Sequence, residues 1–151
     1  MRVGVLSDTH GTLPPEIDEV FAGVEYIIHA GDVGAAWIID HLESIAPVVA
    51  VRGNMDSGDL EWRLLDTAVL RLGGYRILVT HIAGRGPHED LQGSTDIVIS
   101  GHTHRAVVER AGDVLHVNPG SAGGRGRDGR STTVALLDLA ADPPNAEIIE
   151  L

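Results

Sequence analysis

The sequence predicts an α/β fold, and two patterns predict it. Short apolar runs alternate with amphipathic segments through the first third of the chain, whereas the remainder reads as strands alone. A third pattern bears on function: metal-competent side chains recur just past the C-terminal ends of the apolar runs, the edge where open α/β sheets carry their sites.

The first run, Val3 to Leu6, is a short buried-strand candidate ending in Ser7-Asp8-Thr9-His10-Gly11. A helix is predicted from Pro14-Pro15, where proline suits a first turn; Ile17, Val20 and Phe21 share one face, and Gly23 stops it. Tyr26 to His29 is the next strand, broken by Ala30-Gly31-Asp32. Ile38, Leu42 and Ile45 recur at i, i+4 and i+7 and define a second helix, which Pro47 closes. Val48 to Val51 is a third strand, followed by Arg52-Gly53-Asn54-Met55-Asp56. Thr67 to Leu72 and Tyr75 to Thr80 read as a hairpin around Gly73-Gly74 that leads to His81. Further strands are predicted at Ile97 to Ser100, Ala106 to Arg110, Val114 to Val117, Thr132 to Leu139 and Ile148 to Leu151. Gly123 to Arg130 is a loop by composition, and no internal repeat is present.

At 151 residues, one domain spanning 1–151 is expected. Cysteine is absent, which excludes a disulfide framework and thiolate metal sites. No run resembles a signal peptide or approaches the ~20 apolar residues of a membrane span, so a cytoplasmic protein with no membrane partner is expected. The formal net charge of −11 opposes a stable nucleic-acid complex. An anionic substrate therefore needs a locally inverted field, which bound metal cations would supply. Whether the chain forms a homo-oligomer is left open by the sequence.

Asp8, His10, Asp32, Asn54, His81, His102 and His104 follow five different strand ends. Turn chemistry accounts for Asp, Asn and Gly there, but gives no reason for four histidines. Residues at i and i+2 of extended chain point to one side, about 6.6 Å apart, so "DTH" and "GHTH" direct paired side chains toward one ion or two adjacent ions. Seven oxygen or nitrogen donors are too many for one tetrahedral ion and suit two ions sharing a carboxylate. Glycoside hydrolysis by paired carboxylates would leave the histidines unexplained.

Taken in order, "SDTHG", "HAGD", "RGNMD", a histidine after a strand, "GHTH" and "NPGS" resemble the calcineurin-like metallophosphoesterases, specifically their compact single-domain bacterial and archaeal phosphodiesterases. The resemblance runs from the first strand to about Leu139. It implies two mixed β-sheets packed as a sandwich and flanked by helices. It further implies a first divalent ion on Asp8, His10, Asp32 and His104, and a second on Asp32, Asn54, His81 and His102, with Asp32 as the bridge. Manganese heads the candidates; iron, nickel, cobalt and zinc also suit mixed His/Asp/Asn donors.

The implied activity is hydrolysis of a small phosphate ester, most naturally a diester, by a hydroxide bridging the two ions, with Asp32, Asn54 and His81 contributing through the nucleophile and phosphate positioning. Two divalent ions, two aspartates and that hydroxide leave about +1, the field inversion a phosphate needs. The alternative is a binding scaffold of the same fold, as in the related sorting subunit of the retromer coat; loss of ligands would favour it, and every expected ligand is present.

Two positions depart from the family pattern. Ile82 follows His81 where many relatives have glycine, and Met55 follows Asn54 where the wider superfamily often has a proton-donating histidine. Methionine cannot donate a proton, and Met55 is expected to pack near the site. Among the remaining polar residues, His29 is expected to be a buried hydrogen-bonded neighbour, His41 structural, and Asn118 to Ser121 a turn close to the metals. Arg85, His88, Arg125 and Arg127 are expected on solvated loops.

Overall fold

The computed structural model describes residues 1–84, 95–124 and 131–151. Among the described residues thirteen elements follow one another: β1 (Arg2–Leu6), α1 (Ile17–Val20), β2 (Tyr26–His29), α2 (Ala36–Glu43), β3 (Val48–Ala50), α3 (Asp59–Arg63), β4 (Thr67–Leu72), β5 (Tyr75–Thr80), β6 (Ile97–Ile99), β7 (Ala106–Ala111), β8 (Val114–Pro119), β9 (Thr133–Asp138) and β10 (Asn145–Glu150). They form two five-stranded sheets, ordered β10-β9-β1-β2-β3 and β4-β5-β6-β8-β7. Both are mixed. β1, β2 and β3 run parallel with β9 and β10 antiparallel beside them, while β5, β6 and β8 run parallel between two antiparallel edge strands.

Strand periodicity explains the layering. Val3 and Val5 of β1, Ile28 of β2, and Ala135 and Leu137 of β9 share one fully buried cluster with Ile77, Val79, Ile97 and Ile99 of the other sheet. The alternating neighbours Leu6, Ile27 and Val134 turn the opposite way, onto Ile17 and Phe21 beside α1 and Ile38 and Leu42 of α2. The first sheet is thus covered on both faces, and each of its fully buried Ile, Leu or Val side chains stabilises the fold by about 1.5–3 kcal/mol. Among the described residues all three helices contribute to the cluster on the helix side of that sheet. No described helix is long and apolar enough to cross a membrane.

Several elements differ from their sequence-based expectation. The helix foreseen from Pro14 shrinks to one turn at Ile17–Val20, since Pro15 disfavours helical backbone at the residue before it; the approach is a tight turn, with Ile17 N–H on the Pro14 carbonyl (3.2 Å). α2 ends at Glu43, short of Ile45. α3 was not foreseen. It has five residues, of which Leu60 is buried and Trp62 lies 87% exposed, too short for a helical period to show. β10 begins three residues before the predicted Ile148, since its register against β9 (Asn145 opposite Asp138, through Glu150 opposite Thr133) depends on backbone pairing that polar residues sustain equally well.

Candidate metal centre

Parallel strands end on one edge of their sheet, and here two sets of parallel strands bring their C-terminal ends together. β1 delivers Asp8 and His10, β2 Asp32, β3 Asn54, β5 His81, and β6 His102 and His104. Backbone hydrogen bonds stitch these loops together: Asp8 N–H to Gly31 (2.9 Å), His10 N–H to Asp32 (3.0 Å), Gly101 N–H to His81 (3.0 Å) and Gly123 N–H to Asp8 (3.1 Å).

All seven expected residues meet. Asp8 Oδ1 lies 3.1 Å from His104 Nε2, 3.8 Å from His10 Nε2 and 4.0 Å from His81 Nε2. Asp32 Oδ2 lies 3.3 Å from His81 Nε2 and 4.0 Å from His10 Nε2. Asn54 Oδ1 joins at 3.1 Å from His81 Nε2 and 3.0 Å from His102 Nδ1. Asp8, Asp32 and His81 are buried at the base, whereas His10, Asn54 and His102 are exposed at the mouth. Two triads have donor atoms within 4.8 Å of one another, Asp8/His10/His104 and Asp8/Asp32/His81. They share Asp8, whereas the resemblance shares Asp32; Asp32 Oδ2 nonetheless stands between His10 and His81.

Three features fit these residues to cations. First, Asp8 Oδ1 is buried without a hydrogen-bond partner, although its twin Oδ2 is held by Ser7 Oγ (2.7 Å) and His102 N–H (3.0 Å). A buried carboxylate oxygen left bare costs several kcal/mol unless a cation or proton meets it. Second, His81 Nδ1 donates to the Ala30 carbonyl (2.8 Å), which turns Nε2 toward the Asp32 and Asn54 oxygens, where it holds a proton when the ring is charged and offers a lone pair to a cation when it is neutral. Burial disfavours the charged forms of both His81 and Asp32, but their mutual contact outweighs it, raising the His81 pKa and lowering that of Asp32. Third, Asp8, His10, Asp32, His102 and His104 are the non-glycine residues with positive φ among the described residues. Such backbone costs on the order of 1–3 kcal/mol per residue and persists where the surroundings enforce it, commonly at functional sites.

Supporting residues not assigned a role from the sequence complete the centre. Asp56 splits its carboxylate between Gly34 N–H (2.8 Å) and Gly53 N–H (2.9 Å), clamping the Asp32 loop to the Asn54 loop. Its position three residues after a glycine, in a turn, was the available signal. Gly53 lets that clamp close: a Cβ there would meet Asp32 Oδ1 at 2.0 Å. Asn118, foreseen as part of a nearby turn, donates from Nδ2 to the Gly101 carbonyl (2.8 Å) and so fixes the His102 loop.

His29 is fully buried and spends both nitrogens within the fold. Thr9 Oγ1 donates to the Val33 carbonyl (2.9 Å) and accepts from His29 Nε2 (2.9 Å), while Gly31 N–H donates to Nδ1 (3.3 Å). Burial, reinforced by the nearby His81, lowers its pKa to about 3. The unfolded ring takes up a proton near pH 6.5 and the folded ring does not, so acid favours unfolding across that interval. Metal-free protein should therefore lose up to about 1.4 kcal/mol of stability per pH unit through His29 between pH 6 and pH 4.5. Urea midpoints at several pH values should fall less steeply for His29→Gln; parallel curves would contradict the neutral-ring assignment. His41 pairs with Asp18 (2.7 Å) away from the centre. Arg85, His88, Arg125 and Arg127 lie outside the described residues.

This constellation can be set against known proteins. Residues 1–142 match the calcineurin-like phosphoesterase superfamily domain. The chain belongs to that superfamily. A probable metallophosphoesterase of Methanocaldococcus jannaschii is 37% identical over 134 residues, covering 80% of this chain and 68% of the relative. The solved structure of an archaeal phosphodiesterase superposes with a TM-score of 0.81 at 31% identity, covering all of both chains. Vps29 of Entamoeba histolytica shares the fold at a TM-score of 0.76 and 23% identity, covering 100% of this chain and 99% of its own. The expected class of two mixed sheets in a metallophosphoesterase sandwich is the fold observed.

Proposed function

We propose that this member of the superfamily is a metal-dependent phosphodiesterase acting on small phosphate esters. The observation that carries the reading is Asp8 Oδ1: buried, unpartnered, and surrounded by the Nε2 atoms of His10, His81 and His104. Asp8, His10, Asp32 and His104 would hold one divalent ion and Asp32, Asn54, His81 and His102 the other. Bound divalent ions supply Lewis acidity and a nucleophile from water at neutral pH.

The chain's own residues prepare the rest. Met55 N–H holds Asp32 Oδ1 (2.8 Å) and so turns Oδ2 to the His10 and His81 side. The Ala30 carbonyl fixes the His81 tautomer. Asn54 is a neutral donor, which leaves the centre more cationic than a third carboxylate would. The exposed His10, Asn54 and His102 leave the mouth open to a substrate phosphate. Overall, water adds across one ester bond: its oxygen bonds phosphorus, the P–O bond to one alcohol breaks, that alcohol leaves with a proton, and a monoester remains.

The test is hydrolysis of bis(4-nitrophenyl) phosphate by chelator-stripped protein with and without added manganese, iron, nickel, cobalt or zinc. Activity is expected only after metal is restored, and kcat/KM should be higher for diesters than for monoesters across several leaving groups. Full activity in chelator without bound metal would overturn the reading, as would a consistent monoester preference for its diester part. Metal binding without turnover of any ester would favour a binding scaffold instead.

A further inference from the structure

A cleft of about 720 Å³ opens beside the metal centre, and Asn54 and His81 line both. Its remaining wall comes from Arg52, Asp56, Glu61 and Asp66, with Thr67 among the neutral groups. Beneath it, His81 Nε2 is 4.0 Å from the unpartnered, buried Asp8 Oδ1, so the cleft leads to the atoms that call for a cation. This wall lies within reach of one alcohol of a diester whose phosphate is seated there.

Charge sets what that alcohol can be. Arg52 is the one guanidinium among the described wall residues, and it is already spent: Nε and Nη2 both bond Asp66 Oδ1, the former at 2.8 Å, while Nη1 lies 3.6 Å from Glu61 Oε1. Asp56 gives both oxygens to backbone N–H groups. Three carboxylates therefore stand against one neutralised guanidinium. An alcohol carrying a further phosphate or carboxylate meets repulsion from these carboxylates and finds no free guanidinium among the described wall residues, whereas a neutral or cationic alcohol meets no such repulsion.

We propose that the Arg52–Glu61–Asp66 cleft is the alcohol subsite, and that Glu61 and Asp66 make the enzyme selective for phosphodiesters of neutral or cationic alcohols over anionic ones. The inference rests on the phosphodiesterase reading and names its substrate class. Asp66 and Glu61 are 73% and 52% exposed, so the selectivity is moderate and salt-sensitive.

The experiment uses metal-loaded protein and three methyl aryl phosphates whose rings carry a trimethylammonium, a tert-butyl or a carboxylate group. Comparing each ratio between proteins cancels the esters' intrinsic reactivities. Relative to the Glu61→Gln/Asp66→Asn double variant, the unmodified protein should favour the cationic over the anionic ester by roughly threefold to tenfold at low salt. That excess should shrink in high salt and persist in Glu147→Gln, an exposed change on β10 outside the cleft. Turnover of the tert-butyl ester with the same cation-to-anion ratio in both proteins would overturn the subsite alone. Failure of metal-loaded protein to hydrolyse even that ester would overturn the proposed function, and this inference with it.

Discussion

Asp32→Ala should lower phosphodiester turnover on the order of 10³-fold or more and weaken both metal ions together. Asp32 Oδ2 lies between His10 and His81, at 4.0 and 3.3 Å, with its other oxygen pinned by Met55 N–H; Asp8 Oδ1 also lies between them, its own second oxygen held by Ser7 and His102 N–H. On the proposed two-ion reading, removing the Asp32 carboxylate would take negative charge from between the two cations and leave their repulsion unopposed. His104→Ala removes a donor from the Asp8 and His10 side and should chiefly weaken one ion. Metal content after dialysis, measured beside kcat/KM, separates the two variants. Two tightly held ions in Asp32→Ala would show that Asp32 is not the bridge, and would turn attention to Asp8, which both close triads share.

Met55→His should raise the hydrolysis of diesters with poor leaving groups, up to the ~10²–10⁴-fold typical of a well-placed general acid. The Met55 side chain is 65% exposed beside Asn54, and a thioether donates no proton. On the proposed mechanism, with no other side chain donating, the leaving oxygen would depart carrying much of its negative charge, and rates should fall steeply as leaving-group pKa rises. Histidine at this position should flatten that slope while changing activated aryl esters little. The comparison requires both proteins to hold the same metal content and chemistry to limit the rate. A shallow slope in the unmodified protein would place a proton donor elsewhere, and His29 is poorly suited to be it, because both its ring nitrogens are engaged in the core.

Most strands were legible because burial imposes a period on their residues. Val3, Val5 and their alternating neighbours must satisfy two different hydrophobic clusters, and that demand is written into residue type. α3 was illegible because one buried leucine makes no pattern, and the first residues of β10 because backbone pairing at an edge asks little of side chains. Within the candidate site, the seven side chains that come together could be picked out from residue type and order. Their supports could not: Ser7, Thr9 and Asp56 look like ordinary turn residues until their partners are in place.

By itself, the sequence determined which side chains stand at the strand ends and that oxygen and nitrogen donors, without thiolates, are the available metal chemistry. Tertiary structure alone decided that the ends of two separate sheets meet, bringing His102 N–H to Asp8 Oδ2 across 94 positions of chain. It also decided that Asp8 keeps one buried oxygen without a hydrogen bond, facing three histidines, and that Arg52 is neutralised before any substrate arrives. The physical reason is range. Periodicity and turn preference are local properties of the chain, whereas the partners of a buried charge are set by packing between segments that no local pattern connects.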